Sequence, residues 1–128
     1  MPTIFTKIIN GEIPCHKIME DEAHLAFLDI RPIKRGHTLV IPKKEEDYIF
    51  DMSDEDLCRL MVFSKKVARK IKKKVSCVKI GVLVCGIEVP HTHVHLVPFD
   101  KVSDLNFAHA KEMPQEELAA LAAEIRGE

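Results

Sequence analysis
No stretch of this sequence approaches the roughly 18–20 apolar residues of a membrane-spanning helix, and its first residues carry no apolar core of a secretory signal. Neither a span nor a leader is expected. Excess charge is missing too. Lys and Arg number 19 against 20 Asp and Glu, a formal net charge of −1, so the total points to neither nucleic acid nor an anionic membrane as a partner. Cys15, Cys58, Cys77 and Cys85 include no C-x-x-C pair, which fits reduced, mostly buried thiols in a cytoplasmic protein. No internal repeat, linker or low-complexity segment divides the chain. One domain over residues 1–128 is expected, large enough for a real but modest core.

What the chain does have is a row of histidines. Three of its seven stand on alternate residues in His91-Thr92-His93-Val94-His95-Leu96-Val97-Pro98-Phe99, with apolar or β-branched residues between them. That is the period of a strand with one buried face, and it turns His91, His93 and His95 to the same side. Imidazole is both a nucleophile and a proton carrier near neutral pH, so the row suggests nucleophilic or acid–base chemistry. A metal site is one alternative. Alternate strand residues lie about 6.6–6.8 Å apart and zinc sits about 2 Å from its ligands, so one ion takes two neighbours but hardly all three. A row of hydrogen-bonded core histidines is the other alternative, and His is seldom fully buried.

Around this row the chain reads as short elements. Ile4, Phe5, Ile8 and Ile9 have the spacing of a short helix, closed by Asn10-Gly11 and Pro14. Residues 16–19, 23–29, 37–42 and 78–84 read as strands, the first two joined by Glu20-Asp21-Glu22. Ser53, with Asp56 three residues on, begins the one long helix, whose expected buried stripe is Leu57, Leu60, Met61, Ser64, Ala68 and Ile71. Lys65, Lys66, Arg69, Lys70, Lys72, Lys73 and Lys74 crowd its other side and its C-terminal end, a solvated face that suits the helix dipole. No aromatics interleave with them, as a nucleic-acid surface would want. Pro114 opens a C-terminal helix with Leu118, Leu121, Ala122 and Ile125 on one side, to pack on its own domain or on a second subunit. The expected fold is α+β: a single antiparallel sheet of about five strands with one long helix packed on it and a C-terminal helix.

His91-Thr92-His93-Val94-His95-Leu96-Val97 resembles the signature of the histidine triad (HIT) family of nucleotide hydrolases and transferases. Thr3-Ile4-Phe5, Lys7-Ile8-Ile9 and Gly11-Glu12-Ile13-Pro14 resemble the family's N-terminal segment. So do Leu25-Ala26-Phe27-Leu28-Asp29-Ile30 and Gly36-His37-Thr38-Leu39-Val40-Ile41-Pro42-Lys43, in the family's order, so that the likeness covers most of residues 3–99.

The resemblance implies a hydrolase acting at the α-phosphate of an AMP-like nucleotide: a nucleoside phosphoramidate, an adenylylated amine or a dinucleoside polyphosphate. His93 would attack phosphorus and form a nucleotidyl-histidine, its other ring nitrogen donating to a backbone carbonyl. His95 and the backbone amides after it would steady the phosphoryl oxygens, with His91 and His37 buttressing His93. Asp29 would hold the ribose, Phe5, Ile8, Phe27 and Ile30 would wall the base, and Glu88 and Val89 would face the nucleotide from the loop before the triad. The scheme needs no cofactor or metal. A homodimer is implied, and a five-stranded sheet leaves an edge that suits pairing. His95 stands where the transferase branch has Gln. The alternative function is a nucleotide-binding or scaffold protein with vestigial hydrolase activity.

Two departures bear on this. Thr3 and Thr6 stand where many bacterial relatives place cysteines, and Glu45 where those place a His, so the structural zinc site of those relatives is expected to be lost. The loop Gly86-Ile87-Glu88-Val89-Pro90 is shorter than in most relatives and lacks their Asn, Gln and Ser or Thr. Glu88 there either faces the substrate, serving when protonated as a general acid, or turns outward to pair with Lys or Arg.

Overall fold
A computed structural model describes residues 2–128. Helix α1 (Ile4–Ile9) is followed by β1 (Lys17–Glu20), β2 (His24–Leu28), β3 (Thr38–Pro42), α2 (Asp54–Lys74), β4 (Lys79–Leu83), β5 (Val94–Phe99) and α3 (Gln115–Arg126). The strands form one five-stranded sheet in the order β1-β2-β3-β5-β4, every neighbouring pair antiparallel. Among the described residues no helix is long and apolar enough to cross a membrane.

Local chemistry sets the ends of these elements. Thr3 Oγ1 accepts from the Phe5 amide and Thr6 Oγ1 from the Thr3 amide, a reciprocal cap that holds six-residue α1 together. Ser53 Oγ accepts from the Asp56 amide at 3.1 Å, and Asp54, Glu55 and Asp56 fill the first turn of α2 where the dipole favours acids. Gly36, at φ +94°, turns the chain into β3. A Cβ there would stand 3.1 Å from the side chains of Pro98 and Val75.

The sheet is covered on both sides. On one, Ala26, Leu28, Val40, Val94 and Leu96 pack with Leu60, Phe63, Val67 and Ile71 of α2 and Leu118, Leu121, Ala122 and Ile125 of α3. On the other, Phe5 of α1 lies over Leu25, Phe27, Leu39 and Ile41. The single buried face expected for the histidine strand is thus corrected: Val94 to Pro98 of β5 are buried on both faces, as β2 and β3 are throughout. The C-terminal helix packs on its own chain.

Two further expectations shift. The buried stripe of α2 is Leu60, Phe63, Ser64, Val67 and Ile71, whereas Met61 is exposed. Leu57, Met61 and Ala68, with the small Ser64, overlap this set at helical spacing. The sheet takes the side bearing Phe63, whose ring stacks on His24 with centroids 4.9 Å apart. The regular part of β5 also begins at Val94, after His91 and His93. The Thr92 amide donates to Glu46 O at 2.6 Å, outside the ladder, so β3 and β5 pair only over Thr38–Leu96, Leu39–His95 and Val40–Val94.

Candidate active site
Strand alternation carries four polar side chains to one place. Leu25 and Phe27 of β2 face α1, and two residues further on stands Asp29. On β3 the same face runs from Ile41 through Leu39 to His37. Asp29 donates its amide to His37 O at 3.0 Å, one pair beyond the ladder. His95 is opposite Leu39 and therefore on this face, and its ring centroid is 4.9 Å from that of His93. Asp29, His37, His93 and His95 line a cavity of about 540 Å³, completed by Arg31, residues 85–88, Phe107 and Ala110.

Hydrogen bonds fix the ring protons. His93 Nδ1–H donates to His91 O at 2.7 Å, which leaves the Nε2 lone pair of His93 without a protein partner among the described residues. The Ile33 amide donates to His37 Nδ1 at 3.1 Å, so the proton of neutral His37 sits on Nε2 and is donated to His95 Nδ1 at 2.9 Å. His95 in turn carries its proton on Nε2, the polar atom it offers to the cavity. His91 Nε2–H donates to Pro42 O at 2.8 Å, and His91 stays out of the cavity. Its Nδ1 is buried with no hydrogen-bond partner among the described residues.

The support differs in detail from expectation. His91 holds His93 through its carbonyl, and the edge of Phe5 meets both rings, with centroids 5.8 Å and 4.9 Å away. His37 supports His95 directly and does not bond His93. Leu96 and Val97, whose amides were to help hold phosphoryl oxygens, lie in a strand paired on both sides.

Burial sets the protonation states. It pushes His37 and His95 from 6.5 down to about 4, the charges of His37 and His93 adding to the effect at His95. His93 is lowered by burial as well, against the His91 carbonyl and the negative charges of Asp29 and Glu88. Burial raises Asp29, opposed by the Arg31 amide that bonds its Oδ1 at 2.9 Å. Near neutral pH the site therefore presents neutral imidazoles.

A family model described as the HIT domain matches residues 10–102. The chain belongs to the HIT family. It is 46% identical over 99 residues to an uncharacterised HIT-like protein of Methanocaldococcus jannaschii, covering 74% of this chain and 77% of that one. It is 37% identical over 99 residues to an adenosine 5'-monophosphoramidase of Schizosaccharomyces pombe, covering 77% of this chain and 74% of the relative. A solved hypothetical histidine triad nucleotide-binding protein of Sulfolobus tokodaii superposes with a TM-score of 0.86 at 32% identity, over 97% of this chain and 89% of that one.

Two donor sets in this HIT domain invite a test for metal. Asp29, His37 and His95 place their ligand atoms within 4.8 Å of one another. With His37 Nδ1 already accepting from Ile33, ligation through Nε2 would strip that ring of both protons, so His37 and His95 work as a hydrogen-bonded pair with Asp29 Oδ2 3.6 Å from His37 Nε2. At the zinc position of many bacterial relatives, Thr3 and Thr6 are engaged as helix caps and Thr6 Oγ1 donates to Glu45 Oε2 at 2.6 Å. Hydroxyls in place of thiolates do not fit zinc.

The remaining expected residues are spread out. Phe5 and Phe27 are buried behind the histidines, with Ile8 and Val89 partly buried beside them. Ile30 is exposed and does not line the cavity. Glu88 does line the cavity, and among the described residues it makes no ion pair or hydrogen bond, so the outward pairing with Lys or Arg is not found. Sequence reasoning missed Arg31, Ala110 and Phe107, whose ring centroid is 4.9 Å from that of His95. Phe107 follows the last motif and opens a single turn of 3-10 helix, Phe107–His109, too short to show a period. Only its being one of six phenylalanines could have drawn notice.

Proposed function
We propose that this protein hydrolyses nucleotides at the α-phosphate, with phosphoramidates or adenylylated amines as substrates and a nucleotidyl-His93 intermediate. The carrying observation is the bond from His93 Nδ1–H to His91 O, which leaves Nε2 free and aimed at the cavity. Nε2 bonds to phosphorus while the amine leaves with the electron pair of the P–N bond. Water then bonds to phosphorus and the pair returns to Nε2. Overall, water supplies the oxygen gained by phosphorus and the two protons that end on the amine. His95 Nε2–H donates to a phosphoryl oxygen as charge builds there. Asp29 accepts from the ribose hydroxyls. The fission yeast relative's name as an adenosine 5'-monophosphoramidase supports the same reading. The exposed edge strand β4, with Val82 53% exposed, supports a homodimer, which light scattering on the purified protein checks.

Mixing enzyme and adenosine 5'-phosphoramidate at single turnover tests the chemistry. AMP should appear together with a transient protein-bound nucleotide. His93→Ala should abolish the adduct and lower turnover by about a thousandfold or more while leaving AMP binding intact. Retention of a tenth of the activity would overturn the covalent mechanism. A second reading, binding without turnover, draws on the loop: the side chains of Ile87 and Glu88 offer no neutral donor to a phosphate. Tight AMP binding by the wild type without AMP release would establish it.

A further inference from the structure
The cavity is poor in positive charge for a site that takes a phosphate. Two carboxylates, Asp29 and Glu88, line it, against one guanidinium, Arg31, and no lysine. Burial keeps His37, His93 and His95 below the usual imidazole range, so they contribute no cation near neutral pH. Arg31 is itself drawn toward Glu112, at 3.9 Å.

The two carboxylates differ in circumstance. Asp29 is committed: Oδ1 accepts from the Arg31 amide and Oδ2 lies 3.6 Å from His37 Nε2. Glu88 is exposed and, among the described residues, bonded to nothing. They also stand on opposite flanks. Across the sheet come Asp29 at the end of β2, His37 before β3, His93 and His95 at β5, then the loop that follows β4. Two to three strand spacings separate β2 from that loop, about 10–14 Å. A nucleotide with its sugar at Asp29 and its phosphorus over His93 directs its leaving group at the loop that bears Glu88.

We infer that Glu88 determines specificity by reading the charge of the leaving group: it favours amines that carry a second, cationic nitrogen and disfavours leaving groups that carry a carboxylate or further phosphates. The inference rests on the hydrolase reading above. A fixed, uncompensated carboxylate attracts a cation held near it and repels an anion, and selectivity then comes from both arms of the comparison. No proton needs to move for this; the carboxylate acts through its charge alone.

The test is a charge series on one nucleotide. The full chain is assayed with adenosine 5'-phosphoramidates of ammonia, propylamine, 1,3-diaminopropane and β-alanine. For wild type, kcat/KM should fall from the diaminopropane to the propylamine to the β-alanine compound, spanning about tenfold or more at low salt. Glu88→Gln should flatten the series and Glu88→Lys should reverse it, with melting temperatures confirming that both variants fold. A wild-type order that is flat, or that survives unchanged in Glu88→Gln and Glu88→Lys, overturns the role of Glu88 and leaves the hydrolase reading standing. Absence of His93-dependent AMP release from all four compounds, the unsubstituted one included, overturns the hydrolase reading and this inference with it.

Discussion

A single backbone amide decides which nitrogen of His95 faces the cavity as a donor. Ile33 N–H occupies His37 Nδ1, His37 Nε2–H occupies His95 Nδ1, and the proton of His95 is left on Nε2. Nothing in the sequence of Ile33 announces this, because the bond comes from its main chain. His93 and His95 were legible from the alternation of the row 91–95, whereas Asp29 and His37 were legible only through the likeness to the HIT family. Phe107, Arg31 and Ala110 were not, because irregular segments carry no period to read. At this scale Asp29→Asn should weaken nucleotide binding by about 1–3 kcal/mol, the range for hydrogen bonds to a charged group. Titration calorimetry with AMP and its dideoxyribose analogue checks it: the loss should appear with AMP alone, and equal losses would assign Asp29 to the fold.

Among the elements, α1 is the shortest α-helix, and its Phe5 covers His91 and His93. Its cap is built from Thr3 and Thr6, and Thr6 ties it to Glu45. The protein should accordingly purify without stoichiometric zinc, and a chelator should leave its melting temperature unchanged. One tightly bound zinc per chain by elemental analysis would contradict this. Helix α2 depends on its N-cap in the ordinary way. Ser53→Ala should cost about 1 kcal/mol of stability in urea titrations without altering turnover. The start of α2 was readable from Ser53 and the acids after it. Its buried side was not fully so, because Met61 and Phe63 both satisfy helical spacing and only the sheet beneath decides between them.

For the molecule as a whole, burying histidines in their neutral form ties stability to pH. His37 and His95 take up protons near pH 6.5 in the unfolded chain and only at about 4 in the folded one. Between those values the unfolded state binds more protons, so stability falls as pH drops through the window. The slope should be about 1.4 kcal/mol per pH unit for each such histidine. Urea midpoints from pH 7 to pH 4.5 measure it, and a flat profile would show that the rings are not held neutral. The α+β class and the strand count were legible because each strand is bounded by turn residues. That both faces of the sheet are buried was not, because residues 91–99 show the same alternation whether one face is covered or two.

The packing of α3 has a consequence for how the chain comes to be folded during synthesis. Arg126 donates to Lys17 O at 2.6 Å, and Leu118, Leu121, Ala122 and Ile125 complete the core that Ile18 of β1 begins. Partners more than a hundred positions apart cannot meet while the later one is still inside the ribosome. A nascent chain stopped short of α3 holds a sheet with part of one apolar face uncovered, a species open to wrong contacts with its neighbours. Closure of the core is therefore a late step that waits on residues as far along as Arg126, and long-range contacts of this kind slow folding.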